Sequence, residues 1–354
     1  MYQVQKPNSP LLRILTLIFL AMAIASGSCR EKPEAGVIMT VRGPVSAAEL
    51  GQTLSHEHVL VDWAGAGETG YHRWNRDSVA GVVLPWLHEI SELGVTGFAD
   101  CSPAYLGRDP LLLKELSNRS GIHIITNTGY YGAVNNRFIP PHAYRETAGE
   151  LASRWIDEFE NGIEDTGIRP GFIKIGVKED TLLSELHRKL VRAAAITHRR
   201  TGLVIKSHTG GDVPAFDQLN LLKAEGVSPE AFIWTHAQTG TMPKIVEAAR
   251  MGAWISLDAV NISAAEGRHG NHDLYAAMLA ELKKEGLLHR VLISHDAGWY
   301  DAGEPGGGGF RGYSDIHRFL IPMLMEEGFT GEDTEQLLVT NPARAFEIRK
   351  RIAD

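Results

Sequence analysis

The feature that most constrains the fold is a repeated pattern, in which a short apolar run is followed by a helical pattern. Eight such runs begin, in chain order, near Thr53, Val95, Ile122, Gly171, Gly202, Ala231, Ala253 and Arg290. Their starts lie 22 to 49 residues apart, a spacing that suits strand–helix units with parallel strands. The runs at residues 203–205 and 291–293 are continuously apolar, as expected for strands covered on both faces.

Helix boundary signals fall between these runs. Asp109-Pro110 predicts an N-cap followed by proline at the first helical position, and Gly121 follows the end of that helix. Asn341-Pro342 predicts the start of a last helix in the same way. Eight units in about 300 residues predict an α/β fold, a (β/α)8 TIM-type barrel. A doubly wound open sheet is the alternative, but no Gly-x-Gly-x-x-Gly turn follows the first strand.

Residues 1–28 have the composition of a secretory signal peptide. Lys6 and Arg13 form a basic segment, residues 14–25 are almost entirely apolar, and small residues lead to Cys29. The apolar run is too short to span a bilayer. A buried N-terminal helix is the alternative, but the run lacks capping signals and an amphipathic period. We therefore predict a lipoprotein-type signal peptide (1–28), a tether (29–36) and one barrel domain (37–354).

The location and partners of the protein follow from this end of the chain and from its charge. A Cys after small residues resembles a bacterial lipoprotein processing site, so we expect Cys29 to carry a lipid anchor. The protein would then be exported and held at a bacterial membrane, in the periplasm or at the cell surface. The formal net charge is −8, which argues against nucleic acid and against an anionic membrane surface as the main partner. The expected partner is a small-molecule substrate.

Candidate site residues stand where the predicted strands end. A barrel enzyme has its active site at the carboxyl ends of the strands. The first strand carries His56 and His58, which face the same side because they are two residues apart. The fourth, fifth, sixth and eighth strands carry, in order, Lys174, His208, His236 and Asp296. Each residue alone could be a hydrogen-bonded structural residue. Together they offer six ligand groups, which is more than one tetrahedral zinc ion can bind, so the set favours two divalent metal ions.

The ordered set His-x-His, Lys, His, His, Asp resembles the phosphotriesterase family of the amidohydrolase superfamily. The resemblance runs from about Val41 to Phe346 and includes the Gly43-Pro44 opening and the Asn341-Pro342 ending. It implies two metal ions, zinc in the first place with manganese or cobalt as alternatives. The implied ligands of the buried ion are His56, His58 and Asp296. Those of the more exposed ion are His208 and His236, and a carboxylated Lys174 would bridge both ions together with a hydroxide.

The same resemblance implies a hydrolytic mechanism. The bridging hydroxide would attack the substrate, while Asp296 accepts its proton as general base and passes it outward through His236. The leading hypothesis is a hydrolase of a lactone, a carboxyl ester or a related carbonyl substrate. The first alternative is a phosphotriesterase that uses the same hydroxide on phosphorus. A metal-dependent binding lipoprotein without turnover is the alternative from another class.

Substrate contacts are expected from loops near the metals. The loop after the eighth strand, residues 297–313, is short for a phosphotriesterase and favours the carbonyl-hydrolysing branches. Tyr130 and Tyr131 follow the third strand, where lactone-hydrolysing members place a tyrosine near the metals, although strand-end packing explains them equally well. Trp299 could line an apolar substrate site or pack at the rim of the barrel. The family often forms homodimers, so a homodimer is expected from the resemblance alone.

Overall fold

The computed structural model describes residues 1–3, 36–178, 180–261 and 272–353. The chain divides into two units, residues 1–35 and residues 36–354, and the fold below is that of the second unit. Most of the predicted signal peptide, most of the predicted tether and Cys29 lie outside the described residues. Among the residues that are described, no helix combines the length and the apolarity that crossing a membrane requires.

Twelve strands form in the described part of the chain. They are β1 (Val37–Thr40), β2 (Gly43–Ser46), β3 (Gln52–Val61), β4 (Val95–Asp100), β5 (His123–Ile125), β6 (Asn127–Thr128), β7 (Phe172–Gly176), β8 (Val204–His208), β9 (Phe232–Thr235), β10 (Trp254–Leu257), β11 (Val291–Ile293) and β12 (Gly298–Asp301). A single residue separates β5 from β6, so the two form one broken barrel strand. The eight barrel strands therefore begin within two residues of the positions predicted from the sequence.

The barrel strands are parallel and neighbours in sequence are neighbours in space. The order β3-β4-β5 continues as β6-β7-β8-β9-β10-β11. The first and eighth barrel strands meet through backbone hydrogen bonds, from Asp296 N to His56 O (3.0 Å) and from His58 N to Ala297 O (2.8 Å). The architecture is the α/β barrel that the strand–helix repeat predicted.

Helices follow the strands around this barrel. They are α1 (Arg76–Glu92), α2 (Pro110–Ser120), α3 (Pro141–Arg145), α4 (Ala148–Asn161), α5 (Glu185–Thr201), α6 (Asp212–Ala224), α7 (Met242–Met251), α8 (His272–Lys284), α9 (Ile321–Glu326), α10 (Gly331–Glu335) and α11 (Asn341–Phe346). Two π-helical turns, Ile316–Leu320 and Gln336–Thr340, lead directly into α9 and α11. Short 3-10 turns lie at Ala47–Glu49, Tyr71–Arg73, Ile163–Asp165, Pro229–Ala231, Ala237–Thr239, Leu288–Arg290 and Pro305–Gly307.

The helix boundary predictions had mixed outcomes. Asp109 caps α2 by accepting a hydrogen bond from Leu112 N (3.1 Å), and Gly121 ends this helix with a left-handed φ of 80°. Both agree with the prediction. The last helix begins at Asn341-Pro342 as predicted, but Asn341 does not cap it, because Thr340 before it is already helical. The Asn341 side chain instead donates hydrogen bonds to the carbonyl oxygens of Leu288 (2.8 Å) and Val291 (2.7 Å), which ties α11 to the start of β11.

The amino end of the barrel is covered, which leaves the other end for a site. β1 and β2 form an antiparallel hairpin that the sequence reading did not predict. Ile38 from this hairpin and Phe346 from α11 are fully buried in one cluster with the strand starts Phe172, Val204 and Leu292. Burial of such side chains stabilises the fold by about 1.5–3 kcal/mol each. The carboxyl ends of the strands carry the polar residues instead.

Candidate metal centre

All six residues predicted as metal ligands line one small pocket at the carboxyl end of the barrel. The pocket has a volume of about 50 Å³. Its polar wall consists of His56, His58, Lys174, His208, His236 and Asp296, and its remaining wall of Trp63, Cys101, Pro103, Leu106, Tyr131 and Trp299. The convergence follows from the fold, because the carboxyl ends of parallel strands meet around one axis.

Strand alternation separates the roles of three consecutive residues in β3. His56 and His58 face the pocket, and Glu57 between them faces away from it. One Glu57 carboxylate oxygen accepts hydrogen bonds from Ser294 Oγ (2.8 Å) and His295 N (3.0 Å), and the other accepts one from Ala297 N (2.9 Å). Glu57 therefore holds in place the segment that carries Asp296, a function that the sequence reading missed.

One group of ligand atoms joins β3 to the end of β11. Asp296 Oδ1 lies 3.1 Å from His58 Nε2 and 3.6 Å from His56 Nε2. It is buried, yet no aligned hydrogen bond satisfies it. The nearest atoms of the three side chains lie within 4.8 Å of one another. Because neutral imidazole and carboxylate are zinc-type ligands, an orphaned buried oxygen facing two ring nitrogens fits a bound divalent cation.

The two remaining candidate histidine ligands, His208 and His236, form a second group on the opposite side of the pocket. His208 Nδ1 lies 2.8 Å from His236 Nε2, and the Tyr131 hydroxyl lies 3.1 Å from the same His208 nitrogen. His236 has a left-handed backbone with φ of 60°, and Asp296 has one with φ of 50°. Such conformations are unusual for residues other than glycine and occur often at functional sites.

Lys174 lies between the two groups. Its side chain is only 2% exposed, and its Nζ lies 3.3 Å from His56 Nε2. Within the described ranges, no carboxylate forms an ion pair with this amine. A buried ammonium without a counter-charge is strongly unfavourable. The position therefore suits a lysine whose amine is converted to an anion.

Asp258 directly follows β10, and its carboxylate contacts one histidine of each group. The sequence did not predict this function. Its Oδ2 lies 2.8 Å from His56 Nδ1, and its Oδ1 lies 2.8 Å from His236 Nδ1. Burial alone would raise the pKa of Asp258, but His236 and His56 hold this pKa well below its usual value. If each Nδ1 donates its hydrogen to this carboxylate, each Nε2 presents a lone pair to the pocket. Asp258 also groups with these histidines as a candidate ligand set, but both of its oxygens are occupied by these contacts.

Electrostatics favour neutral imidazoles beside an ionised Asp296. Burial, followed by Lys174, lowers the pKa of His56, and burial lowers that of His58. Burial alone would raise the pKa of Asp296, but the facing His56 and His58 hold it well below its usual value. His236 differs, because Asp258 outweighs burial and raises its pKa.

Aromatic rings close one side of the pocket. The Trp299 ring stacks on His58 with 4.0 Å between ring centroids, and Trp63 stacks on Trp299 at 5.5 Å. Trp299 has a φ of 71°, and its Nε1 donates to the Asp296 carbonyl oxygen (2.7 Å). Two of the three predicted substrate contacts, Trp299 and Tyr131, thus line the metal pocket.

Tyr130 lies elsewhere than predicted. Its hydroxyl is 3.0 Å from His142 Nε2, and its ring lines a separate cavity. The prediction placed it beside Tyr131 at the metals. Because the two residues are consecutive in an extended segment, their side chains face opposite sides.

Comparisons with known proteins identify a family model and several similar proteins. A model of the phosphotriesterase family matches residues 36–346. The phosphotriesterase homology protein of Escherichia coli K12 is 28% identical over 299 residues, which cover 84% of this chain and 98% of that protein. The aryldialkylphosphatase of Saccharolobus solfataricus is 25% identical over 260 residues, which cover 71% and 78%. The crystal structure of a mutant PTE-like lactonase from Deinococcus radiodurans matches with a TM-score of 0.78 and 28% identity, covering 87% of this chain and 99% of that one.

Proposed function

This chain belongs to the phosphotriesterase family, and from that premise we propose that it is a binuclear metal-dependent hydrolase of lactones, carboxyl esters or related carbonyl compounds. The observation that carries the proposal is the convergence of six ligand-type side chains on one pocket. Hydrolases among its relatives and the candidate His/Asp metal group support the same reaction class.

We assign the side chains to two ions. His56, His58 and Asp296 would hold one ion, His208 and His236 would hold the other, and Lys174 would bridge them after carboxylation of its amine. Carboxylation turns a buried cation into an anion with two oxygens, which removes the unfavourable charge described above. Zinc is the metal that we favour for a set of imidazoles and carboxylates, and manganese and cobalt are the alternatives.

The residues around the pocket have separate functions in the proposed reaction. When bound, the two ions would lower the pKa of a water molecule and polarise the substrate oxygen. Asp296, whose Oδ1 lies 3.1 Å from His58 Nε2, would accept the proton of that water. His236, which is hydrogen-bonded to Asp258, would take the proton onward. Trp299, Trp63 and Tyr131 would exclude bulk water and contact the substrate.

The size of the pocket favours a carbonyl over a phosphoryl centre. A pocket of about 50 Å³ bounded by Trp63 and Trp299 suits a planar carbonyl group, which can approach with one substituent inside. A phosphotriester is tetrahedral and has three ester substituents to accommodate. Phosphotriester hydrolysis remains the second candidate, because an aryldialkylphosphatase is among the relatives.

Steady-state kinetics on metal-loaded protein test the proposal. We expect kcat/KM for a panel of γ- and δ-lactones to exceed that for an aryl dialkyl phosphate. A clear preference for the phosphotriester would move the function to the second candidate. No turnover of either class by protein that holds two ions would leave the binding protein as the interpretation.

The variant Asp296→Asn tests the general base. Asparagine keeps the size and one oxygen but is a poor base, so we expect kcat to fall by roughly 10²–10⁴. The ratio kcat/KM should fall equally, because the proton transfer belongs to the transition state. Elemental analysis of the same sample provides the control for metal content. A kcat within a few-fold of the wild type in metal-loaded protein would contradict the assignment.

A further inference from the structure

A second cavity lies on the same face of the barrel but outside the metal pocket. It has a volume of about 420 Å³, which is within the usual range for small-molecule sites. None of the six proposed metal ligands lines it. One wall separates the two spaces, because Leu106 and Tyr131 face the metal pocket whereas Tyr105 and Tyr130 face the second cavity.

Aromatic rings form much of this cavity. Tyr71 and Trp74 come from the loop after β3, Tyr105 from the loop after β4, and Tyr130 from the segment after β6. Burial raises the pKa of Tyr71, Tyr105 and Tyr130, so these rings are neutral phenols. The protein already uses one such face for a cation, since the Arg76 guanidinium lies 5.2 Å from the centre of the Tyr71 ring.

The two arginines of the cavity are already committed to protein groups. Arg108 binds both carboxylate oxygens of Glu158 (2.8 and 2.7 Å) and donates to the carbonyl oxygen of Asn127 (2.8 Å). Its Nε is shielded from solvent. Arg154 makes a two-point contact with Glu146 that lies outside the cavity lining. Arg108 is therefore not placed to receive an anionic ligand, and Arg154 has two of its three guanidinium nitrogens engaged by Glu146.

The carboxylates of the cavity, in contrast, can still accept hydrogen bonds from a ligand. Asp157 and Glu164 line it, and a carboxylate can accept about four hydrogen bonds. Glu164 accepts one from the Tyr71 hydroxyl and lies 3.7 Å from Arg108 Nη2, and its side chain is 50% exposed. Asp157 accepts one from Asn161 Nδ2 (2.6 Å). The three carboxylates of the lining outnumber its two guanidinium groups.

Two residues that line this cavity have a left-handed backbone conformation. Tyr105 has a φ of 67° and Glu164 a φ of 49°. Such a conformation is unfavourable for residues other than glycine and is retained where the surroundings or a function require it. The two residues supply one aromatic face and one carboxylate to the same space.

We propose that this cavity is a binding site for a small organic cation, a substituted ammonium ion held between aromatic faces with Glu164 and Asp157 as counter-charges. Aromatic rings attract a cation that lies over their faces, and the carboxylates add a charge that an anionic or neutral ligand cannot use. The site is independent of the metal centre and of the reaction proposed there.

Calorimetric titration of the chelated, metal-free full chain with benzyltrimethylammonium chloride tests this site. We expect saturable binding with a millimolar or lower Kd, and no binding of benzenesulfonate at the same ionic strength. Glu164→Gln keeps the shape and the oxygen that accepts from Tyr71 but loses the charge, so binding should weaken by about 10-fold or more. Glu160→Gln is the matched control, because Glu160 pairs with Arg200 away from the cavity.

A second variant separates this cavity from the metal pocket. His236→Asn should bind the ammonium probe as tightly as the wild type does. The proposal is overturned if the probe does not bind, if benzenesulfonate binds equally well, if Glu164→Gln binds unchanged, or if His236→Asn abolishes binding. None of these results depends on the hydrolase activity, so the two proposals can fail separately.

Discussion

A single carboxylate, that of Asp258, holds one histidine from each half of the candidate centre. It lies 2.8 Å from both His56 Nδ1 and His236 Nδ1, and it also accepts a hydrogen bond from Ser256 Oγ (2.7 Å). Carboxylates that orient metal-binding histidines in this way typically account for 10–100-fold in metal affinity. Asp258 should therefore act on both ions without binding either.

The variant Asp258→Asn should lower metal affinity by about 10–100-fold. The amide offers one acceptor oxygen in place of two, so only one of the two histidines can keep its donated hydrogen bond. Competition with a chromogenic chelator measures the affinity. Ser256→Ala is the control, because it removes a neighbour of Asp258 and leaves both contacts with histidine. Equal affinities for Asp258→Asn and wild type would contradict the orienting function.

Asp100 should make the stability of the metal-free protein depend on pH. Burial raises the pKa of Asp100 to about 7, although hydrogen bonds from backbone N–H groups oppose this. The unfolded chain releases this proton near its usual pKa of 3.8, whereas the folded chain retains it until about pH 7. The folded state thus binds more protons between these values, and its stability falls as pH rises through this window.

The variant Asp100→Asn should remove that part of the pH dependence. Asparagine keeps the oxygen that accepts from Val59 N and never ionises. We expect the variant to gain up to about 4 kcal/mol relative to wild type near pH 8, with little difference near pH 4. Urea unfolding of both metal-free proteins at the two pH values measures this. An identical pH slope in the two proteins would exclude Asp100 as its source.

At the scale of elements, β12 is an added strand that positions the pocket. Gly298, its first residue, pairs with His58 in β3 and has a φ of 96°. A Cβ at this position would lie 1.8 Å from the His58 carbonyl oxygen. Only glycine can therefore bring this strand close enough to keep His58 in place.

The variant Gly298→Ala should destabilise the protein by several kcal/mol, because it combines a steric clash with a strained φ. It should also displace His58 and lower metal content. Gly306→Ala is a matched control with a φ of 64° and no atom within 4 Å of the added Cβ. Thermal unfolding and elemental analysis of both variants measure the difference. Equal losses for the two variants would show that φ alone matters.

The elements that the sequence predicted are those with a strong local signal. The barrel strands have continuous apolar runs, and Asp109-Pro110 has a cap followed by proline. β1, β2 and β12 are only four residues each. β1 and β2 pair with each other in a short hairpin, and β12 pairs with β3, which is distant in the chain. Asn341-Pro342 predicted the start of α11, but the sequence did not predict the π-helical turn that leads into it or the hydrogen bonds that Asn341 donates instead of capping.

The candidate site could likewise be predicted in part. Residues at strand ends converge in any parallel barrel, so the six ligand positions followed from the strand pattern. Asp258 was missed because a lone Asp after a strand has no distinctive sequence signal. The side to which Tyr130 points could not be determined, because β6 ends at Thr128 and Gly129 turns the chain with a φ of 113°.

For the whole molecule, the distribution of the candidate ligands links metal binding to folding. The six side chains come from β3, β7 and β8 and from the residues that follow β9 and β11. They therefore span the circumference of the barrel, and no local segment can supply the complete set. An unfolded chain would lack the site, so bound ions should stabilise the folded state.

We expect chelation to lower the Tm and to abolish activity. A site held at about 1,000 times its Kd stabilises the folded state by about 4 kcal/mol, which corresponds to roughly 5–10 °C for a chain of this size. Lys174→Ala should lose much of the metal and of this shift, and short carboxylates such as formate should partly restore both, since they can replace a bridging carboxylate. Differential scanning calorimetry with elemental analysis measures the Tm and the ion count together. Active protein with one ion per chain, or a Tm unchanged by chelation, would contradict a two-metal centre that spans the barrel.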